Sequence, residues 1–137
     1  MVHYKKIESS KVNMIQNIDE YYSFHLQRYQ RACREESMYG IFNSDILLWI
    51  VVFDHRLFWN WCIRLLLVWE KFRKKWYASK MIEYCEKLCT SKRLFISTQQ
   101  ENKGMIHLLD KINYEQCWTI SYINEEWWDE IFFSTVV

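Results

Sequence analysis

The chain has 137 residues, and its 18 lysines and arginines nearly balance its 17 aspartates and glutamates. That length fits one domain with a buried core, and the net charge of +1 gives no global field that would attract nucleic acid or an anionic membrane. The longest apolar run, 46–53, is far shorter than the roughly 20 residues of a membrane-spanning helix, and the N-terminus lacks a signal-peptide core. We therefore expect a soluble, cytoplasmic protein.

The first third of the chain has the weakest secondary-structure pattern. Residues 1–7 suit a short strand. Ser9 or Ser10 is a suitable cap for a polar helical segment that runs through 17 to 30.

Two β-branched, apolar runs, 46–54 and 62–68, are typical of buried strands. Another strand is predicted at 37–42, and the sequence Asn-Ser-Asp at 43–45 favours a turn after it. The runs 46–54 and 62–68 should form a hairpin.

After Val68 the spacing of the apolar residues changes to that of a helix. Ala78, Ile82 and Cys85 lie on one stripe and charged residues lie on the other face, which predicts a helix of about three turns. The remaining predicted elements are a strand at 93–98, a helix at 101–112, and strands at 117–122 and 130–137 joined by a polar, turn-like segment at 123–129. This order predicts an α/β (mixed α+β) protein in which helices flank a mixed sheet.

The five cysteines are odd in number and lack CxxC spacing, which argues against a disulfide framework. Cys85 and Cys89 could share one helix face, as metal ligands do, but neither His55 nor His107 is close enough in sequence to complete a site. We expect reduced thiols and no metal.

A basic segment, 70–76, joins the strand 62–68 to the helix that follows. The start of a helix attracts anions through its N–H groups and its dipole, and Arg73, Lys74 and Lys75 would add positive charge. This arrangement predicts a polyphosphate ligand. A solvated surface turn explains the same residues equally well.

The same loop resembles the acyl-CoA signature of the GNAT acetyltransferase superfamily, written Q/R-x-x-G-x-G/A. The corresponding residues are, in order, Arg73, Lys74, Lys75, Trp76, Tyr77 and Ala78. The first and last positions match, and Trp76 replaces the central glycine. The preceding LLLVWEKF is similar to the family's strand beside the pantetheine arm.

The C-terminal third is also similar to many GNAT members. Its helix bears Asn102 and ends in the pattern lysine, apolar residue, glycine and aromatic, which here reads Lys111, Ile112, Asn113, Tyr114. The resemblance covers roughly 37–137, and it implies a single GNAT-like domain with a mostly antiparallel sheet. Within that domain, 1–36 would be the acceptor-side region and 37–137 the acetyl-CoA-binding core.

The resemblance implies transfer of an acetyl group from acetyl-CoA, the co-substrate, to a primary amine of a small molecule or peptide. It implies a monomer or homodimer that needs no metal, nucleic acid or membrane. The splayed strands around 66–68 and 94–97 would leave a slot for the pantetheine. The residues implied for acetyl-CoA binding are Leu66, Leu67, Val68, Arg73, Lys74, Lys75, Trp76, Tyr77, Ala78, Ser79 and Asn102. The Val68 N–H is the candidate donor to the oxyanion.

The catalytic acid and base remain unassigned from the sequence. The family's leaving-group acid would fall near Leu109, which has no hydroxyl, and Tyr114 matches a packing aromatic. Glu35, Glu36 and His25 are candidate bases, although a surface position explains each more simply. Two alternatives stay open: a non-catalytic acyl-CoA-binding domain in which Trp76 fills the pyrophosphate site, and a protein-interaction module that displays aromatic residues.

Eight tryptophans accompany only two glycines and no proline, whereas average usage predicts about ten glycines. All eight make sense as glycines of turns or of the family pattern. They are Trp49, Trp59, Trp61, Trp69, Trp76, Trp118, Trp127 and Trp128. Our hypothesis is that the organism reads UGA as glycine, so that these residues are glycines in the cell. A tryptophan-rich binding surface is the alternative.

Overall fold

A computed structural model describes residues 2–69, 77–122 and 128–137. These ranges contain seven strands, three α-helices and one 3₁₀ helix. In chain order they are β1 (Val2–Lys6), the 3₁₀ helix (Ser9–Asn17), α1 (Tyr22–Arg34), β2 (Met38–Asn43), β3 (Ile46–Leu57), β4 (Asn60–Val68), α2 (Tyr77–Leu88), β5 (Arg93–Gln99), α3 (Lys103–Lys111), β6 (Glu115–Ile120) and β7 (Glu130–Val136). Among the described helices, none has the length and apolar character needed to cross a membrane.

The strands form one sheet in the order β1-β2-β3-β4-β5-β7-β6. Strands β4 and β5 are parallel, and α2 provides the crossover that a parallel pair requires. The pairs β1–β2, β2–β3, β5–β7 and β6–β7 are antiparallel. The predicted fold class, a mixed and mostly antiparallel sheet with helices, is confirmed.

The chain divides into two compact units, each described by itself below. The first unit contains Met1–Phe53 and Leu65–Met81, and the second contains Asp54–Arg64 and Ile82–Val137.

In the first unit, α1 and the 3₁₀ helix cover one face of strands β2 and β3. The residues of this core are Ile7, Val12, Ile15, Tyr29, Ala32, Cys33, Met38, Phe42, Leu47 and Ile50. Leu65 and Leu67 of β4 pack against the same core. Gly40 allows this close packing, because a Cβ atom there would lie 2.7 Å from Leu47 Cδ1.

In the second unit, β7 lies between β5 and β6, and the first part of β4 continues the sheet beside β5. Trp61, Cys62 and Ile63 pair with Leu94, Phe95 and Ile96. Burial raises the pKa of the Cys62 thiol to about 12. All five cysteines are free thiols.

Helices α1 and α3 end in the same hydrogen-bonded motif. At the end of α1, the N–H of Ser37 donates to Ala32 O and the N–H of Glu36 donates to Cys33 O. At the end of α3, Tyr114 and Asn113 make the equivalent bonds to Leu109 and Asp110. This is the Schellman motif, which places one left-handed residue after the helix. That residue is Glu36 (φ 55°) in the first case and Asn113 (φ 66°) in the second.

Several predicted boundaries were wrong. The helical segment through 17 to 30 is two helices, and Ser9 and Ser10 lie inside the 3₁₀ helix, which has no side-chain cap. The helical conformation is interrupted between these two helices, because Asp19 accepts the N–H of Tyr21 at 2.8 Å and so stabilises a turn. Helix α3 begins at Lys103 because Asn102 caps it.

The hairpin between β3 and β4 is tighter than predicted. Strand β3 extends to Leu57 and β4 begins at Asn60, so that only Phe58 and Trp59 form the turn. Their φ angles are 48° and 63°, and positive φ at both positions is the geometry of a two-residue hairpin turn. Strand β6 is displaced from 117–122 to Glu115–Ile120. Within the predicted turn-like segment 123–129, residues 123–127 lie outside the described residues.

Candidate functional site

The end of β4 carries three of the predicted acetyl-CoA contacts. Leu66, Leu67 and Val68 are half-buried. The described pairs with β5 reach Ile63, whereas β4 continues to Val68. Because Leu67 faces the first unit's core and side chains alternate along a strand, Leu66 and Val68 face the opposite side of the sheet.

The start of α2 carries three more of the predicted contacts. Tyr77, Ala78 and Ser79 are the first described residues of α2, and all three are half-buried. The N–H groups of a helix's first turn have no acceptor within that helix and are suited to an anion. Arg73, Lys74, Lys75 and Trp76 lie outside the described residues.

Trp49 of β3 lies close to the start of α2. Its ring centroid is 6.3 Å from that of Tyr77, and only 4% of the residue is exposed. The indole Nε1–H is buried and, across the part of the chain that the structure describes, has no hydrogen-bond acceptor. A buried donor without an acceptor costs about 1 to 3 kcal/mol, so this position suits an indole poorly.

Asn102 belongs to the second unit and caps helix α3. Its Oδ1 accepts the N–H of Met105 at 3.2 Å, which satisfies one donor of the first turn. The cap gives Asn102 a structural role, and its contact with a cofactor stays a prediction. Leu109 is fully buried. Tyr114 is 5% exposed and its hydroxyl donates to Glu86 Oε1 at 2.8 Å, in keeping with a packing aromatic.

The candidate bases have different surroundings. Glu35 Oε1 accepts a bond from Arg31 Nε at 2.9 Å within α1, and Glu36 is the left-handed residue that ends α1. Glu35 and Glu36 therefore have structural roles at the end of α1. His25, by contrast, has its Nδ1 2.8 Å from Oδ2 of Asp19, a carboxylate that is 8% exposed.

The cluster of Asp19, His25 and Tyr29 is the feature that sequence reasoning missed. The Tyr29 hydroxyl donates to the same carboxylate oxygen, Asp19 Oδ2. A signal was present, because His25 and Tyr29 are four residues apart and therefore lie on one face of α1. Asp19 could not be added to them because the break between the two helices was not predicted.

The structure describes every tryptophan except Trp76 and Trp127, which lie outside the described residues. Trp59 occupies the β3–β4 turn, as expected of a glycine position. Three others lie within strands: Trp49, Trp61 and Trp118. At Trp61 the indole has a partner, since its Nε1–H donates to Thr90 Oγ1 at 2.8 Å. Among the described tryptophans, Trp59 alone has the positive φ that favours glycine at its position.

Solved structures share this architecture over nearly their whole length. An acetyltransferase of the GNAT family from Bacillus cereus has a TM-score of 0.82 and 17% identity, over 99% of this chain and 97% of that one. The ribosomal-protein-S18-alanine N-acetyltransferase of Escherichia coli has a TM-score of 0.77 and 10% identity, over 99% and 94%. An acetyltransferase from Salmonella typhimurium, solved with its cofactor acetyl-CoA, has a TM-score of 0.73 and 10% identity, over 98% and 93%.

No family profile and no curated protein matches the sequence. The similarity to solved structures therefore defines the class of the protein: a single α/β domain with a seven-stranded, mostly antiparallel sheet. More particularly, the chain has the fold of the GNAT acetyltransferases.

Proposed function

We propose that this protein is an acetyl-CoA-dependent N-acetyltransferase that acts on a primary amine. The observation that supports this most strongly is the full-length likeness to GNAT acetyltransferases, one of them solved with acetyl-CoA. The order of elements along the chain also supports this proposal, because a basic segment joins the half-buried end of β4 to α2.

In this proposal the cofactor lies along the first unit. The pantetheine amides pair with the backbone of Leu66, Leu67 and Val68, and the pyrophosphate meets the basic segment and the start of α2. Arg73, Lys74 and Lys75 supply positive charge, and Tyr77, Ala78 and Ser79 supply backbone N–H groups. Asn102 stays a proposed cofactor contact, on the strength of the family resemblance.

The chemistry is attack of a neutral amine on the thioester carbonyl. Holding the amine and the carbonyl in line supplies much of the rate enhancement, up to about 7 to 11 kcal/mol in the best-oriented reactions. The Val68 N–H is the proposed donor to the developing oxyanion. Acceptors to screen are polyamines, amino sugars and peptide N-termini, and the protein would work as a monomer or homodimer.

A charge-removal variant tests the cofactor site. We expect the triple variant Arg73→Ala, Lys74→Ala, Lys75→Ala to bind acetyl-CoA at least about tenfold more weakly, because charge-assisted bonds contribute about 1.5 to 3 kcal/mol each. Isothermal titration calorimetry measures this. The matched control removes one arginine and two lysines from exposed positions elsewhere, through Arg34→Ala, Lys11→Ala and Lys92→Ala. Equal loss in both variants would show that only net charge matters.

Calorimetry with a second variant addresses the loop tryptophan. We expect the double variant Trp69→Gly, Trp76→Gly to bind acetyl-CoA more tightly than the chain as written, because glycine lets the backbone approach the phosphates. If the unaltered chain bound acetyl-CoA as tightly as the double variant, the Trp76 indole would not obstruct the cofactor site. Binding without transfer to any amine would favour a non-catalytic acyl-CoA-binding domain, and no binding by either chain would favour a protein-interaction module.

We further propose that the eight tryptophans are glycines in the cell, decoded from UGA. The left-handed φ at Trp59 and the buried indole N–H of Trp49 support this proposal. The codons decide it: UGG at any of the eight positions makes that residue a true tryptophan, and UGG at most of them refutes the idea. The intact mass of the protein purified from its own organism gives an independent answer.

A further inference from the structure

We propose that His25 is the catalytic residue that takes a proton from the acceptor amine, and that Asp19 is the positioning residue that holds its imidazole. This inference rests on the proposed acetyltransferase function and adds the base that the sequence left unassigned. It is supported by geometry within the first unit alone.

The carboxylate of Asp19 is surrounded by three donors. Its Oδ1 accepts the Tyr21 N–H at 2.8 Å, and its Oδ2 accepts both the Tyr29 hydroxyl and the Nδ1–H of His25, the latter at 2.8 Å. Burial alone would raise the pKa of Asp19, but the hydrogen bonds from Tyr29, His25 and Tyr21 outweigh it and lower that pKa. The ionised carboxylate fixes the tautomer of His25, with the proton on Nδ1 and the lone pair on Nε2.

The outer edge of His25 is open to an incoming molecule. Its side chain is 30% exposed, and within residues 2–69, 77–122 and 128–137 its Nε2 has no hydrogen-bond partner. Two exposed aromatic residues flank it: Tyr21, 63% exposed, and Phe24, 70% exposed. Their ring centroids lie 6.4 and 5.4 Å from that of His25. Exposed aromatic rings attract cations, so the surface beside His25 suits a primary ammonium group.

Helix α1 and strand β4, which carries the proposed oxyanion donor, contribute side chains to the same core. Tyr22 and Leu26, on either side of His25, pack against the same core as Leu65 and Leu67 of β4. Val68 follows Leu67 directly. His25 therefore lies on a helix that shares a core with β4, and this helix belongs to the region, 1–36, that the sequence predicted to bind the acceptor.

In the proposed step, one amine proton goes to His25 and the other goes to the coenzyme A thiolate. Nε2 of His25 takes one proton from the ammonium group, and the neutral nitrogen then forms a bond to the thioester carbonyl carbon. The C–S bond breaks and coenzyme A leaves as a thiolate, which takes the second proton from the nitrogen of the new amide. His25 returns the first proton to water, so the products are the acetylated amine, coenzyme A and one proton.

The test uses the full chain, as written and with Trp76→Gly, and measures coenzyme A release with spermidine, kanamycin or an alanine-first tetrapeptide. With the best of these amines we expect His25→Ala to lower kcat by about 100-fold or more, with KM for acetyl-CoA unchanged. Added imidazole should restore the rate in proportion to its concentration, which a purely structural role would not allow. His3→Ala, at an exposed histidine of the same unit, is the matched control and should leave the rate unchanged.

Asp19→Asn tests the positioning role separately. We expect nitrogen NMR to show mixed tautomers of His25 in this variant and only the Nδ1–H tautomer in the unaltered chain, with a lower kcat in the variant. Circular dichroism checks that each variant is folded, and His25→Gln replaces His25→Ala if that variant is not. Transfer that persists undiminished in folded His25→Ala and His25→Gln would overturn this inference and leave the proposed function intact. Absence of transfer to all three amines would overturn both.

Discussion

Trp59 is held in a backbone conformation that a tryptophan adopts at a cost. Its φ of 63° and the φ of 48° at Phe58 form the turn between β3 and β4. Left-handed φ costs a residue with a Cβ about 1 to 2 kcal/mol, and glycine escapes that cost. Since Trp59 is 85% exposed, its side chain gains little from packing.

We therefore expect Trp59→Gly to raise the free energy of unfolding by about 1 kcal/mol, as measured by urea denaturation. Trp118→Gly is the control, because Trp118 is also exposed but lies inside β6. Its ring centroid is 5.4 Å from that of Phe132. We expect the control to lower stability by about 0.5 to 1 kcal/mol. If both variants lowered the free energy of unfolding by the same amount, the turn at Trp59 would not be strained.

The two Schellman ends show how one local motif sets the boundaries of two helices. The ending Lys111-Ile112-Asn113-Tyr114 has a physical explanation, because the third of its four residues, Asn113, is the left-handed residue of the motif. Asparagine tolerates that conformation better than most residues, whereas Glu36 in the equivalent position of α1 does not.

We expect Glu36→Gly to raise the free energy of unfolding by about 1 kcal/mol. Asn113→Gly is its matched comparison, and the gain there should be only a few tenths of a kcal/mol. Thermal and urea denaturation of both variants measure the difference. A larger gain at Asn113 than at Glu36 would contradict this ranking of the two helix ends.

At the scale of the whole molecule, acid stability should depend on Asp19. The folded structure lowers the pKa of this carboxylate, so its contribution to stability is present above the unfolded value of about 3.9 and is lost as pH falls through the folded pKa. We expect the unfolding free energy of the unaltered chain to fall more steeply below about pH 4 than that of Asp19→Asn. Asp110→Asn, at an exposed aspartate, should keep the original slope.

The buried strands β3 and β4 were predicted from β-branched, apolar runs, and α2 was predicted from apolar residues that repeat at helical spacing. The β3–β4 hairpin was predicted but its turn is tighter than expected, because Phe58 and Trp59 carry none of the usual turn chemistry. The resemblance implied a mostly antiparallel sheet, but the order of the strands in it was not predicted, since pairing depends on contacts between distant segments. The Asp19, His25 and Tyr29 cluster depends on where one helix stops and the next begins, and boundaries of that kind follow from hydrogen bonds that periodicity does not record.

The strand order also has a consequence for how the chain folds in time. Strands β2, β3 and β4 follow one another through tight turns, so their pairing closes short loops. By contrast, the first part of β4 meets the start of β5 only by closing a long loop: Trp61 and Ser91, which are joined by a hydrogen bond, are 30 positions apart in the sequence. Closing such a loop lowers the entropy of the chain before favourable contacts between the two strands can form. The meander of β2 to β4 should therefore nucleate folding, and the parallel β4–β5 pair should form late.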